Sequence, residues 1–306
     1  MIKKKIKIIL GGAQLGLKYG LLSKKLKNKL VHSIIKIAVK NKILTIDTAN
    51  NYGSSEKNIG SFLNLNQKKK IRIITKLFPF RNYNSNLNLK KRVEESVKLS
   101  SNNLKIKKID TLILHKESNV FQNKKLILKY LIQLKKKKKI KKIGISIQSQ
   151  KELELALKLK EISVIQLPFN ILDNRWNKYI DKILKTKKKR NLEIHARSIF
   201  LQGLLLNRDQ RYWKKTRYKN LNVINKWLII IKRLFKRKSV VDLCFSYVKS
   251  HAWIDGIVIG VDNVRQLKNN IMLFNSKQFK PYQLALINSS RPKVNNILLN
   301  PKKWRK

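Results

Sequence analysis

IDTLILHKESNVFQNKKLILKYLIQLKKKKKIKKIGISIQSQKELELALKLKEISVIQL, residues 109–167, decides the fold. Three short apolar runs, at 109–115, 140–146 and 163–167, are separated by two longer lysine-rich amphipathic stretches, at 123–138 and 151–160. A short run without polar alternation suits a strand buried on both faces, and an amphipathic crossing of this length joins two parallel strands. The predicted unit is strand, helix, strand, helix, strand in a parallel sheet.

The same alternation continues outward in both directions. IKIILG (6–11), ILTID (43–47), IRIITK (71–76), LEIHAR (192–197) and DGIVIG (255–260) read as further strands. Residues 28–40, 89–100 and 220–237 read as further helices. Eight β/α units in about 250 residues match an α/β fold of the (β/α)8 TIM-barrel type better than an open doubly wound sheet. GGAQLG, after the first strand, lacks the glycine spacing of the dinucleotide fingerprint of open sheets. No Pro, Gly or Ser-rich linker divides the chain, so residues 1–306 are expected to form a single domain, with 276–306 an extension packed on or beside the barrel.

Of the 306 residues 42% are hydrophobic, enough for a sizeable core. Cys244 is the only cysteine, which excludes an internal disulfide and a thiolate-rich zinc site and suits a reducing cytoplasm. Gly11, Gly12 and Gln14 interrupt the apolar stretch that follows the N-terminal lysines, so no signal peptide is expected. No segment reaches the about 18 apolar residues of a membrane span. His32, His195 and His251 are expected on a helix, in a strand and near a helix end, and no metal site is expected. Trp227, Leu228, Ile231 and Leu234, at helical spacing, are expected to pack on the barrel.

Lysine and arginine number 72 against 16 acidic residues, a formal net charge of +56. Such a field attracts polyanions, although lysine-rich compositional drift explains the same excess. The densest runs, at 3–5, 68–70, 105–108, 135–142 and 187–190, immediately precede predicted strands. That places them on the bottom face of a barrel, opposite its chemistry, where nucleic acid would bind only non-specifically, if at all.

Catalytic groups of such a barrel lie at the C-terminal ends of its strands. Asp47 ends the second predicted strand, Tyr52 follows in its loop, Lys76 ends the third and His115 the fourth. A lysine cation beside a tyrosine lowers the pKa of the phenol, and a carboxylate can hold that lysine in place. A histidine can meanwhile hydrogen-bond a carbonyl oxygen, so the four residue types together suit proton delivery to a carbonyl. Ser54 and Ser55, ahead of Glu56, read as a helix cap.

DTANNYGSSEKNIG, with Asp47, Tyr52, Gly53, Ser55, Glu56 and Gly60, resembles the aldo-keto reductase signature. ITK at Lys76, LILH at His115, KKIGIS, QLPFNILD, RSIFLQGLLL and IGVDNVRQLKNNI follow in the family's order, over about Ile6 to Ile271. The resemblance implies reduction of a small aldehyde or ketone by hydride transfer from a nicotinamide cofactor, with Asp47, Tyr52, Lys76 and His115 catalytic and Tyr52 the general acid. The alternative is a cofactor-binding regulatory protein on the same barrel with little turnover.

The resemblance further implies that Ser146 and Gln166 hold the nicotinamide carboxamide. Arg197 and Ser198 stand where the family usually has Tyr-Ser, which puts a guanidinium in place of the stacking ring, and Ile147 replaces a frequent asparagine. Gly260, Asn263, Arg265, Gln266 and Asn270 match the segment around the adenine ribose. There Arg265 suits a 2′-phosphate and Asp262 repels one, so NADPH is expected over NADH only mildly. In the loop NRDQRYWKKTRYKN, Arg208, Arg211 and Arg217 among Tyr212, Trp213 and Tyr218 suit an anionic ligand. RSIFLQGLLL and the closing NPKKW resemble a bacterial subgroup associated with cell-surface sugar biosynthesis, which implies a keto-sugar.

Overall fold

The computed structural model describes residues 6–20, 25–78, 86–114, 124–218 and 220–304. Eight parallel strands close into a barrel in chain order: β1 (Lys7–Gly11), β2 (Thr45–Asp47), β3 (Arg72–Lys76), β4 (Ile109–Leu114), β5 (Ile140–Ser146), β6 (Ile162–Pro168), β7 (Glu193–Arg197) and β8 (Gly256–Ile259). The seam is β1 against β8, paired from Lys7↔Gly256 to Leu10↔Ile259. Closure pairs every strand on both sides, so the sheet has no open edge. Each strand lies within two residues of its expected bounds, apart from His115, which is outside the described residues.

Around the barrel run α1 (Asn28–Lys40), α2 (Ser55–Phe62), α3 (Leu65–Lys70), α4 (Asn86–Leu104), α5 (Lys124–Lys136), α6 (Gln150–Lys158), α7 (Ile180–Lys189), α8 (Gln210–Lys214), α9 (Leu221–Leu234), α10 (Val240–Lys249), α11 (Val264–Phe274) and α12 (Pro281–Ser290). A capping box starts α6: the Ser149 hydroxyl accepts from the Glu152 amide at 3.4 Å, and the Glu152 carboxylate accepts from the Ser149 amide at 3.0 Å. α9 stops short of residue 237 because Lys236 adopts a left-handed φ of 50°. Trp227, Leu228 and Ile231 pack into the core, whereas Leu234, the last residue of α9, is 55% exposed. Beyond 276, Ile287, Leu298 and Leu299 are buried in the same core, and Arg291 Nε donates to the Ile171 carbonyl at 2.7 Å. Among the described residues no helix is long and apolar enough to cross a membrane.

The barrel interior is built in layers. At the bottom, Arg72 on β3 bonds Glu193 on β7, strands that are not neighbours, so the contact spans the interior. Arg72 Nε also meets Asp110 at 2.7 Å, and Lys142 Nζ meets Glu193 at 2.6 Å. Burial alone would raise the Glu193 carboxyl, but His195, Arg72 and Lys142 hold it far below the carboxylate range. Above this polar layer Ile74, Ile113 and Val164 form a small apolar cluster. Gly144 leaves room for it, since a Cβ there would lie 2.9 Å from Ile113. Two residues further along β3 and β6, Lys76 and Gln166 are again polar, and they belong to the site.

Candidate active site

Alternation along β3 carries Arg72, Ile74 and Lys76 to one face, so Lys76 arrives at the C-terminal mouth of the barrel. Its ammonium is 1% exposed, donating to Asp47 Oδ2 at 2.6 Å and to the Thr48 carbonyl at 2.8 Å. From the far side of the barrel Gln166 Nε2 donates to Asp47 Oδ1 at 2.9 Å. Both carboxylate oxygens of Asp47 are thereby satisfied, which a buried charge requires. The ring centroid of Tyr52 lies 4.9 Å from Lys76 Nζ. The structure thus unites three of the four expected catalytic residues, Asp47, Tyr52 and Lys76; His115 follows the last described residue of β4 in sequence and lies outside the described residues.

Two close approaches fix the Tyr52 loop. A Cβ on Gly16 would lie 2.0 Å from the Tyr52 carbonyl, and Gly53 takes a φ of +57° beneath Leu17. The rest of the motif anchors α2. Glu56, 1% exposed, accepts from Thr75 at 2.6 Å, next to Lys76 in the chain. Ser54 makes no cap bond, and the Ser55 hydroxyl instead pairs with Thr48 Oγ1 at 2.8 Å, so the expected serine cap is replaced by a tie to the loop after β2.

Electrostatics differ from the simple expectation for Tyr52. Burial raises its pKa, and although the Lys76 charge lowers it, burial and Asp47 prevail and the net shift is upward. The phenol is held neutral, the form that donates. Burial works to lower the Lys76 pKa, but the Asp47 charge more than compensates and keeps the ammonium protonated.

A cavity of about 480 Å³ opens beside this group. Among the expected residues Asp47, Tyr52, Gln166, Arg197, Ser198, Gly260 and Gln266 line it, while Lys76, buried behind Asp47, and Ser146, Asn263, Arg265 and Asn270 do not. Arg197 ends β7 and is not free to swing: its Nη2 donates to the Ile147 carbonyl at 3.1 Å and to Gln148 Oε1 at 2.9 Å. Asn263 caps α11 by accepting from the Gln266 amide at 2.8 Å, and Gln266 Oε1 accepts from the Asp262 amide at 2.7 Å. Asp262 also lines the cavity, with Oδ1 buried and without a partner among the described residues, and burial raises its carboxyl pKa. Of the loop after β7, Asn207 reaches the cavity, whereas Trp213, Arg217 and Tyr218 line a separate one and Arg211 pairs with Asp209 at 2.6 Å.

Sequence reasoning missed two parts of the lining. Gly11, Gly12, Ala13 and Gln14 form one wall, and a Cβ on Gly260 would lie 2.0 Å from Gln14 Oε1. The signal was the glycine pair directly after β1. The other part is Ile199, Phe200, Gln202 and Gly203, beyond the expected Ser198, in a turn where Ser198, Leu201 and Gln202 take φ values of 57°, 46° and 56°. Non-glycine residues held in the left-handed region carry strain that clusters at functional sites.

The model of the Aldo/keto reductase family matches residues 7–292. Among solved structures, the aldo-keto reductase AKR11C1 from Bacillus halodurans in its holo form is similar over 94% of this chain and 92% of that one, with a TM-score of 0.77 and 19% identity. The glycerol dehydrogenase AKR11B4 from Gluconobacter oxydans is similar over 95% of both chains, with a TM-score of 0.74 and 20% identity. A search of curated proteins finds no match. The family match along nearly the whole barrel and the Asp47, Tyr52 and Lys76 group at its mouth lead to one conclusion: the chain belongs to the aldo/keto reductase family.

Proposed function

We propose that the chain reduces an aldehyde or ketone with a nicotinamide dinucleotide. One observation carries the reading: a buried Lys76 ammonium held 2.6 Å from Asp47 and 4.9 Å from the Tyr52 ring, with Asp47 and Tyr52 lining a cavity at the C-terminal mouth of the barrel. The cavity fits a dinucleotide, because Gly11, Gly12 and Gly260 give it a wall of bare backbone and Asp262 Oδ1 offers an unused acceptor. When bound, the nicotinamide ring supplies a hydride to the carbonyl carbon. Tyr52 Oη gives its proton to the carbonyl oxygen, and the charge left on the phenolate is stabilised by Lys76. Asp47 and Gln166 keep Lys76 in place, and His115 orients the carbonyl oxygen. We assign Gln166, Arg197 and Ser198, which line the cavity, and Ser146, which does not, to the nicotinamide end. Gly260, Asn263, Arg265, Gln266 and Asn270 belong to the adenosine end, where Arg265 favours NADPH and Asp262 favours NADH.

A keto-sugar is the substrate class we infer, supported by the polar lining from Gln14, Tyr19, Gln202 and Asn207. A reducing cytoplasm is the setting that suits a chain whose one cysteine, Cys244, is buried with its thiol pushed up to about 12. The test is oxidation of NADPH and NADH by the wild type and Tyr52→Phe over a panel of aldehydes, ketones and keto-sugars. Turnover by the wild type that the variant loses supports the reading. Equal inactivity of the two across the panel removes catalysis and, if cofactor still binds, leaves the regulatory reading.

A further inference from the structure

The distribution of cations in this chain is uneven. Among the described residues, the cavity at the catalytic mouth, in a protein with 72 lysines and arginines, has one cationic side chain on its lining, Arg197. At the opposite end a smaller cavity of about 260 Å³ is lined by four, Lys68, Lys69, Lys108 and Lys141, together with Asp110. Lys68 and Lys69 come from α3, Lys108 precedes β4 and Lys141 is the second residue of β5, so the cluster sits at the bottom of the barrel.

Carboxylates do not neutralise this cluster. Asp110 is already bound by Arg72 at 2.7 Å and meets Lys141 only at 4.0 Å. Lys69 and Lys108 have no ion pair among the described residues, and Lys68 donates to the Gly60 carbonyl at 2.9 Å. Burial, and after it the charge of Lys105, push the Lys68 ammonium below its ordinary value. The lysine runs expected on this face at 105–108 and 135–142 extend the same field around the pocket.

We propose that the bottom pocket is a binding site for a compact polyphosphate group, seated between Lys69, Lys108 and Lys141. Lysine binds phosphate as a point charge, and several ammonium groups around a concave site suit adjacent phosphoryl groups. Concavity and small volume favour a compact anion over the convex backbone of a duplex. The site is separate from the catalytic mouth and stands whether or not the reductase reading holds.

Inorganic tripolyphosphate is the probe, titrated calorimetrically into the full chain at two salt concentrations. Salt-dependent binding is expected, weakened tenfold or more by Lys69→Ala with Lys108→Ala. Lys151→Ala with Lys182→Ala, which removes the same charge from exposed positions at the start of α6 and α7, is expected to leave it unchanged. NADPH and NADH binding, followed by nicotinamide fluorescence, is expected to be indifferent to the probe. No binding, equal weakening by the two double variants, or displacement of cofactor overturns the proposal. So does duplex DNA binding that depends on Lys69 and Lys108 when tripolyphosphate binding does not.

Discussion

Gln166 on β6 and Asp47 on β2 are joined across the barrel mouth by a 2.9 Å hydrogen bond. The same glutamine lines the cavity, so it both positions the carboxylate beneath Lys76 and faces the space assigned to the cofactor. Gln166→Ala is expected to weaken cofactor binding by about tenfold and to lower kcat, since one buried Asp47 oxygen loses its donor, a loss of order 1–3 kcal/mol. Fluorescence titration beside steady-state kinetics checks both effects. A variant that changes neither would show that this bond is only architectural.

Lys76→Met tests the buried pair. Turnover is expected to fall on the order of a thousandfold, because the phenolate left by proton transfer loses its cation. Stability is expected to fall by about 3–5 kcal/mol, because Asp47 is left charged and uncompensated. Asp47→Asn combined with Lys76→Met should recover much of the stability and none of the turnover. Urea unfolding of the two variants separates these outcomes, and a single variant as stable as wild type would refute the pairing argument.

Asp262, whose Oδ1 has no partner among the described residues, makes a prediction about cofactor choice. Asp262→Ser removes a negative charge from the cavity lining and is expected to tighten NADPH binding about tenfold or more, a gain of about 1.4 kcal/mol. NADH should change little. Equal shifts for the two cofactors would place the 2′-phosphate away from this residue.

His251 sets an acid limit on stability. Burial lowers its pKa from 6.5 to about 4, and its Nδ1 lies 2.8 Å from the Tyr247 carbonyl. Below pH 6.5 the unfolded chain takes up a proton that the folded chain refuses, so this contribution is lost as pH falls from 6.5 toward 4, by about 3 kcal/mol in all. His251→Gln removes the titration, although it also disturbs the ring packing against Phe169 and Trp253. Unfolding free energies of wild type and variant should therefore converge over that interval. Parallel curves would exclude His251 as the source.

The barrel was legible because its strands are continuous apolar runs of isoleucine and leucine, and α1 over 28–40 was read to the residue from its apolar spacing. Asp47, Tyr52 and Lys76 were legible for a related reason, since position at a strand end is a sequence property. The fixing of Arg197 by Gln148 was not, because residues 49 apart meet only once the barrel has closed. Nor was the left-handed turn at Ser198, Leu201 and Gln202, which only Gly203 announces in the sequence. Ser55 misled for an ordinary reason. A serine at a helix start often caps it, but Ser55 is already the first residue of α2 and its hydroxyl pairs with that of Thr48.

The layered interior has an electrical consequence. Its bottom layer holds two cations, Arg72 and Lys142, against two carboxylates, Asp110 and Glu193, so these charges cancel where they lie. Ile74, Ile113 and Val164 then separate that layer from Lys76 and Asp47. Lysines on the outer bottom face act on the mouth through solvent, where salt confines a charge to about 10 Å, while β3 alone carries the chain about 13 Å from Arg72 to Lys76. The waist of the barrel behaves as an insulator: the lower face can gain, lose or neutralise positive charge without retuning the Tyr52 phenol at the other end.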